Sequence, residues 1–167
     1  MLHGRSEVGS IAIGKAEITE IQSLARLWYD GWQDAHARIV PAELIRVRTL
    51  QNFQERLLVG CASIRVAGPA FAPIGFHWIR GAELYQFYVC TSARGSGAAT
   101  LLMADAEAQL LGSGAGTAWL GCAIGNQRAA RFYEKCGWVR KGVVRELLEV
   151  PGGTFPLEEW RYEKALT

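Results

Sequence analysis

A chain of 167 residues, half of them apolar and a fifth charged, suffices for one domain with a sizeable core and is short for two. Its formal net charge of +2 carries no signature of nucleic-acid or membrane binding, and no apolar run approaches the ~18 residues a membrane span needs. The opening segment "MLHGRSEVGS" has no apolar stretch behind its charges, so no secretory signal is expected and the protein is read as cytoplasmic.

Residues 10–16, "SIAIGKA", form a short strand candidate. Thr19 followed by Gln22 reads as a capping box opening a helix to about Asp34. On it Leu24, Trp28, Trp32 and His36 recur every four residues, a helical stripe. Pro41 suits a helix start, and the helical pattern over 41–58 has a break near Thr49. Strands are expected at 61–68, 73–80 and 83–89, separated by Gly-Pro and Arg-Gly punctuation. A helix follows Arg94 and stops at "GSGAG"; then come a strand at 118–123 and a helix over 127–137. Two last strands, 138–147 and 155–166, are joined through "PGG". The order reads β-α-α-β-β-β-α-β-α-β-β, a mixed α/β sheet in a single domain over residues 1–167.

Four cysteines at 61, 90, 122 and 136 include no C-x-x-C pair, with Cys90 and Cys122 in strand-like segments, and read as buried reduced thiols. His3, His36 and His77 lack metal-ligand spacing, so no metal is expected.

The stretch "ARGSGAATLL", residues 93–102, places small residues between a strand and a helix. Glycine admits close approach to bare backbone, and the first N–H groups of a helix have no partner of their own. The helix dipole and Arg94 add positive charge, so the junction suits a phosphate. Two familiar phosphate loops fail here. No Gly-Lys-Ser/Thr ending exists, and the third glycine of a dinucleotide fingerprint falls on Thr100.

Arg94, Gly97 and Ala99, within "YVCTSARGSGAATLLMADAE", resemble the acetyl-CoA-binding signature of the GNAT N-acetyltransferases. A second block, "NQRAARFYEKCGW", is similar to that family's asparagine and Phe-Tyr-Glu-Lys-x-Gly-Phe/Trp pattern, one helix and one strand further on. The resemblance covers nearly the whole chain and implies the GNAT fold, with a splayed central strand pair. It implies acetyl-CoA as acyl donor, its pyrophosphate on the loop of Arg94, Gly95, Ser96, Gly97, Ala98, Ala99 and Thr100. The pantetheine arm would pair with backbone near Tyr88 and Val89 and with Asn126. The acceptor would be an amine of a small molecule or peptide-like molecule, attacked directly in a ternary complex. Nucleic-acid and membrane partners are not expected, and a homodimer is compatible with the reading. A different class, an idle acyl-CoA sensor or partner-binding module on the same fold, would need the phosphate loop but not an acid.

Acyl transfer from a thioester needs a neutral amine, a stabilised oxyanion and a protonated leaving thiolate. A lysine-type amine is neutral about once in 2,500 at pH 7, an α-amine in roughly a tenth of molecules. Tyr133 matches the family tyrosine that points at the coenzyme sulfur, and is the expected acid. Glu83, six residues before Val89, matches the glutamate of the histone-acetyltransferase branch and is the expected base, directly or through water. Strand alternation would put Glu83, Tyr85, Phe87 and Val89 on one face. The branch acting on N-terminal amines often carries a glutamate where this chain has Gly121. Trp28, Trp32, His36 and Tyr85, with His77 nearby, are candidates for the acceptor wall. Arg38, Arg46, Arg48 and Arg56 read as solvated helix charges able to attract an anionic acceptor.

Overall fold

The computed structural model describes residues 6–8 and 11–167; His3 and the first residue of the expected opening strand lie outside them. The strands are β1 (Ser6–Val8), β2 (Ile11–Lys15), β3 (Ile64–Ala67), β4 (Gly75–Arg80), β5 (Glu83–Val89), β6 (Thr117–Ala123), β7 (Val139–Val150) and β8 (Gly153–Ala165). They form one sheet in the order β1-β2-β3-β4-β5-β6-β8-β7. Every pairing is antiparallel except β5 with β6, so the expected mixed sheet is found, with β1 as an added edge.

Five helices pack on it: α1 (Ile21–His36), α2 (Ala42–Val47), α3 (Leu50–Gly60), α4 (Ala98–Gly112) and α5 (Gln127–Lys135). The expected capping box does not open α1. A turn of 3-10 helix over Ile18–Glu20 precedes it, tied by the Glu17 amide donating to Glu20 Oε2 at 3.0 Å. Thr19 therefore sits inside that turn. The expected break at Thr49 is real: its hydroxyl accepts the Asn52 amide at 3.1 Å and starts α3 as a separate helix.

Leu24, Trp28 and Trp32 of the α1 stripe are core, while His36 is half-buried. Leu24 and Trp28 are fully buried, and the Trp28 ring lies 4.5 Å from Phe53 of α3 and 6.0 Å from Trp78 of β4. On the other face Met103, Ala106 and Leu110 of α4 pack with Leu84, Leu120 and Tyr162. Cys122 is the buried thiol; Cys61, Cys90 and Cys136 are half-buried, and Cys90 lies past the end of β5. Among the described residues no helix is long and apolar enough to cross a membrane.

Two irregularities in β5 shape the sheet. Trp78 pairs with Gln86 but Ile79 with Leu84, so Tyr85 is an extra, bulged residue. The bulge resets the alternation and corrects the expected shared face. Tyr85 meets the Trp78 ring at 4.9 Å and Tyr88 stacks on Phe76, both on the α1 side. Leu84 points to the α4 side, which leaves Glu83 on the side of Tyr85. Phe87 stacks on Phe132 of α5, and Val89 packs with Leu102, both on the opposite face. The second irregularity is the pairing with β6, which consists of Glu83 with Trp119, beside a Trp119 amide bond to the Ala82 carbonyl. Beyond it the two strands part. The β7–β8 hairpin bridges that gap: β8 pairs along β6, and Leu148, Val150, Phe155 and Leu157 pack against the α1–α3 cluster.

His77 does not approach an acceptor wall. It is fully buried on the α4 side, and its Nε2 donates to Asp105 Oδ2 at 2.7 Å. Arg65 grips the same carboxylate with two bonds of 2.8 and 3.0 Å. Burial raises the Asp105 pKa, yet the bonds from His77 and Arg65 outweigh it and hold the carboxyl at about 2. A depressed carboxylate contributes stability above its unfolded pKa and loses it as pH falls through the folded one. Asp105→Asn should therefore cost about 2 kcal/mol at pH 7 and about half that by pH 3, read from urea unfolding of both proteins. An equal loss at both pH values would mean that the charge of Asp105 is not what holds α4 to β3 and β4.

Candidate active site

A cavity of about 1120 Å³ occupies the gap where β5 leaves β6. At one end stands the glycine junction. Gly97 caps α4 with φ +85°, a left-handed conformation that favours glycine, and a Cβ there would meet nothing within 4 Å. The amides of Gly95, Gly97, Ala99 and Thr100 have no acceptor among the described residues, so they and the α4 dipole face open space. Arg94, Gly95, Gly97, Ala99 and Thr100 line the cavity. Ser96 and Ala98 do not: the Ser96 hydroxyl donates to the Ala93 carbonyl and accepts the Ala98 amide, and Ala98 is buried. Asp34 of α1 holds Arg94 at 2.9 Å and Arg128 of α5 at 3.2 Å, an ion triad across the mouth. The bond from Arg94, with help from Arg128, keeps the Asp34 carboxyl below its ordinary range.

Along the middle run Tyr88 and Val89 of β5 and Asn126, which caps α5 by accepting the Ala129 amide at 3.4 Å. The Tyr133 ring projects from α5 onto this stretch, set edge-on against Phe87 and beside Tyr162. Burial, then the nearby Cys122 thiol, pushes its phenol well above 10, so it keeps its proton throughout the physiological range.

The far end is charged on two sides. Glu83 of β5 and Glu159 of β8 both line it. Each is pushed up to about 7, by burial first and by the neighbouring Glu146 second. A Cβ on Gly121 would collide with Glu159 Oε2, so the carboxylate of Glu159 fills the space over that glycine. The β6 position without a side chain thus faces an acid lent by the adjoining strand. Glu159 was not singled out from the sequence, because its placement follows from the cross-strand pairing of β8 with β6.

Arg48 and Arg56 also line the cavity. They correct the expectation of solvated charges: Arg48 is 3% exposed and Arg56 half-buried, while Arg38 and Arg46 are exposed. Of the expected acceptor wall, Tyr85 lines the cavity and accepts a 2.6 Å bond from Arg56. His36 lines it too, stacked on Trp32 at 5.1 Å. Burial lowers the His36 pKa to about 4 against the 3.2 Å bond its Nδ1 donates to the Trp32 carbonyl, so the ring is neutral. Trp28 and Trp32 border the cavity as buried core residues.

The model of the acetyltransferase (GNAT) family matches residues 17–138. No curated protein matches the sequence. Among solved structures, the fold is shared with a GCN5-related N-acetyltransferase from Rhodopseudomonas palustris, at 20% identity and a TM-score of 0.72 over 98% of this chain and 100% of that one. The PaiA N-acetyltransferase from Thermoplasma acidophilum, in complex with coenzyme A, aligns at 19% identity and 0.66, over 94% and 99% of the chains. The yncA protein of Salmonella typhimurium, with its cofactor acetyl-CoA, aligns at 14% and 0.63, over 95% of each.

The two raised carboxyls carry a sign for stability. A group whose folded pKa exceeds its unfolded value favours the fold below the unfolded pKa and loses that contribution as pH rises through the folded one. Above pH 7 the fold therefore holds a desolvated, mutually repelling pair of charges. Glu159→Gln should raise stability by on the order of 1–2 kcal/mol at pH 8 and leave it unchanged at pH 4. Thermal unfolding at the two pH values tests this, and a loss of stability at pH 8 would refute it.

Proposed function

Since this chain belongs to the GNAT acetyltransferase family, we propose that it moves an acetyl group from acetyl-CoA to a primary amine by direct attack in a ternary complex. The observation that carries the reading is one cavity joining a glycine-capped helix N-terminus to a pair of raised carboxyls through the gap between β5 and β6. Coenzyme A is the donor that fits. Its pyrophosphate meets the unpaired amides from Gly95 to Thr100, with Ser96 and Ala98 contributing shape and capping rather than contact. Its pantetheine arm takes up the backbone of β5 near Tyr88 and Val89, where β6 has withdrawn, and the side-chain amide nitrogen of Asn126, whose oxygen is spent on the Ala129 amide. The coenzyme complexes of PaiA and yncA on the same fold support this choice.

The thioester then lies between Tyr133 and the carboxyl end. The amine nitrogen attacks the acyl carbon, the C–N bond forms, and the C–S bond breaks with its electrons on sulfur. A phenol held well above 10 stabilises that thiolate as a hydrogen-bond donor, since full transfer of its proton to a thiol of ordinary pKa near 8.5 would be uphill. The proton lost by the amine passes to Glu83, directly or through water. A carboxylate at about 7 is a far better base near neutrality than one at its ordinary value. Tyr133 and Glu83 thereby take the acid-side and base-side roles.

Acetyl-CoA at a hundredfold excess over Kd should stabilise the protein by about 2.7 kcal/mol in a thermal-shift titration, with NAD and ATP silent. Gly97→Glu should abolish that shift in a folded protein, because it sets a side chain and a negative charge before the amides. A coenzyme shift preserved in Gly97→Glu would remove the junction from the site. In kinetics, Tyr133→Phe should lower kcat by roughly 10²–10³ with coenzyme affinity unchanged, the usual cost of one donor to developing charge. Wild-type kcat/KM should fall as pH drops through about 7, where Glu83 takes up a proton. Glu83→Gln should be slower at pH 8 and fall less steeply. Near-normal rates in both variants would remove Tyr133 and Glu83 from the mechanism, and coenzyme binding without transfer to any amine by the wild type would leave the fold as a coenzyme-binding module.

A further inference from the structure

The acceptor end holds two guanidinium groups that the acetyl-transfer chemistry does not use. Arg48 and Arg56 both border the cavity, and among the described residues neither has a carboxylate within ion-pair distance. Their partners are neutral: Arg48 donates to Asn52 Oδ1 at 3.2 Å and Arg56 to the Tyr85 hydroxyl. The buried Nε of Arg56 has no partner, and its guanidinium lies 4.4 Å above the Trp28 ring. Arg80 nearby behaves differently, because Glu149 neutralises it at 3.2 Å. Burial first, and the charge of Arg56 second, lower the Arg48 pKa to about 10, which marks two like charges kept side by side away from water. Such a pair is costly unless an anion joins it.

Glu83 and Glu159 line the same cavity. Glu83 precedes Tyr85, the partner of Arg56, by two residues on one strand, and both line the cavity, so β5 ties the carboxyl pole to the guanidinium pole. An α-amino acid carries an amine and a carboxylate about 3 Å apart, one group suited to each pole. We propose that the acceptor is an amine that also bears a carboxylate, an amino-acid-like molecule with its acid on Arg48 and Arg56 and its amine at Glu83 and Glu159. This rests on the acetyl-transfer reading and adds the substrate class to it. Guanidinium forks match carboxylate geometry, so the arginines select for the acid and hold the amine towards the thioester.

The test is a panel of free L-amino acids, their α-carboxamides and the corresponding decarboxylated amines, scored by thiol release with acetyl-CoA. The best acid should exceed its own carboxamide by roughly a hundredfold in kcat/KM, the scale for a desolvated charge pair. Arg56→Gln and Arg48→Gln should each remove most of that factor from the ratio of acid to carboxamide in kcat/KM. Arg56→Lys should keep part of the preference. An acetyl-CoA thermal shift equal to wild type establishes that each variant is folded. Equal rates on acid and carboxamide, or a preference that survives in both glutamine variants, would overturn the inference while leaving the acetyltransferase reading intact. Absence of the acetyl-CoA shift in the wild type, with no transfer to any amine, would overturn the acetyltransferase reading itself.

Discussion

The site depends on a parting of strands. β5 and β6 hold each other at Glu83 and Trp119 and nowhere further along, although both continue. A sheet that opens in its interior leaves backbone donors and acceptors facing a gap, and such groups are costly unless something pairs with them. The surrounding structure tolerates the opening because each side is anchored elsewhere. β5 is held by β4 along its length, and β6 by β8 from Thr117 to Ala123. The gap is therefore a built cleft, and it passes through the sheet between two cores, one under α1 and α3 and the other under α4 and α5.

What lines the cleft follows from the elements that flank it. The end of β5 runs into the glycine junction and the start of α4, so free amides and a helix dipole come to one mouth. α5 descends from Asn126 along the middle and presents Tyr133. The β7–β8 hairpin closes the other end and brings Glu146 and Glu159 against Glu83. The bulge at Tyr85 completes this end. Without it, strand alternation would turn Glu83 and Tyr85 to the face now held by Phe87 and Val89, and the arginine of α3 would find no hydroxyl.

The charged end sets function against stability. Two carboxyls and two guanidinium groups stand in a shared cavity with no ion pair between the signs among the described residues. Pairing them within the protein would relieve both sides and close that end of the cavity. The fold's compensation lies elsewhere, in pairs such as Asp105 with Arg65 and His77, which fasten α4 to the sheet on the opposite face.

The order of strands and helices, the break at Thr49, the glycine junction and the Asn126-to-Trp138 block were legible in the sequence, because each is a local pattern: periodicity, a cap, a run of small residues. Membership of the family was legible for the same reason. Local pattern did not place the first helix cap, where the acid at residue 20 outcompeted the Thr19–Gln22 spacing. Nor did it show the bulge, since an extra residue in one strand appears only against the register of its partner. Glu159 and the arginine pair belong to the same class. Along the chain they are an acid in an alternating strand and two charges on a polar helix. The pairing of β8 with β6 sets the first over a glycine, and the packing of α2 and α3 against β5 turns the second inward. Sequence determined the elements and the glycine junction, which short-range sterics and hydrogen bonding dictate. Only the tertiary structure decided which charges meet in the cavity, because burial and electrostatic repulsion depend on residues brought together from distant parts of the chain.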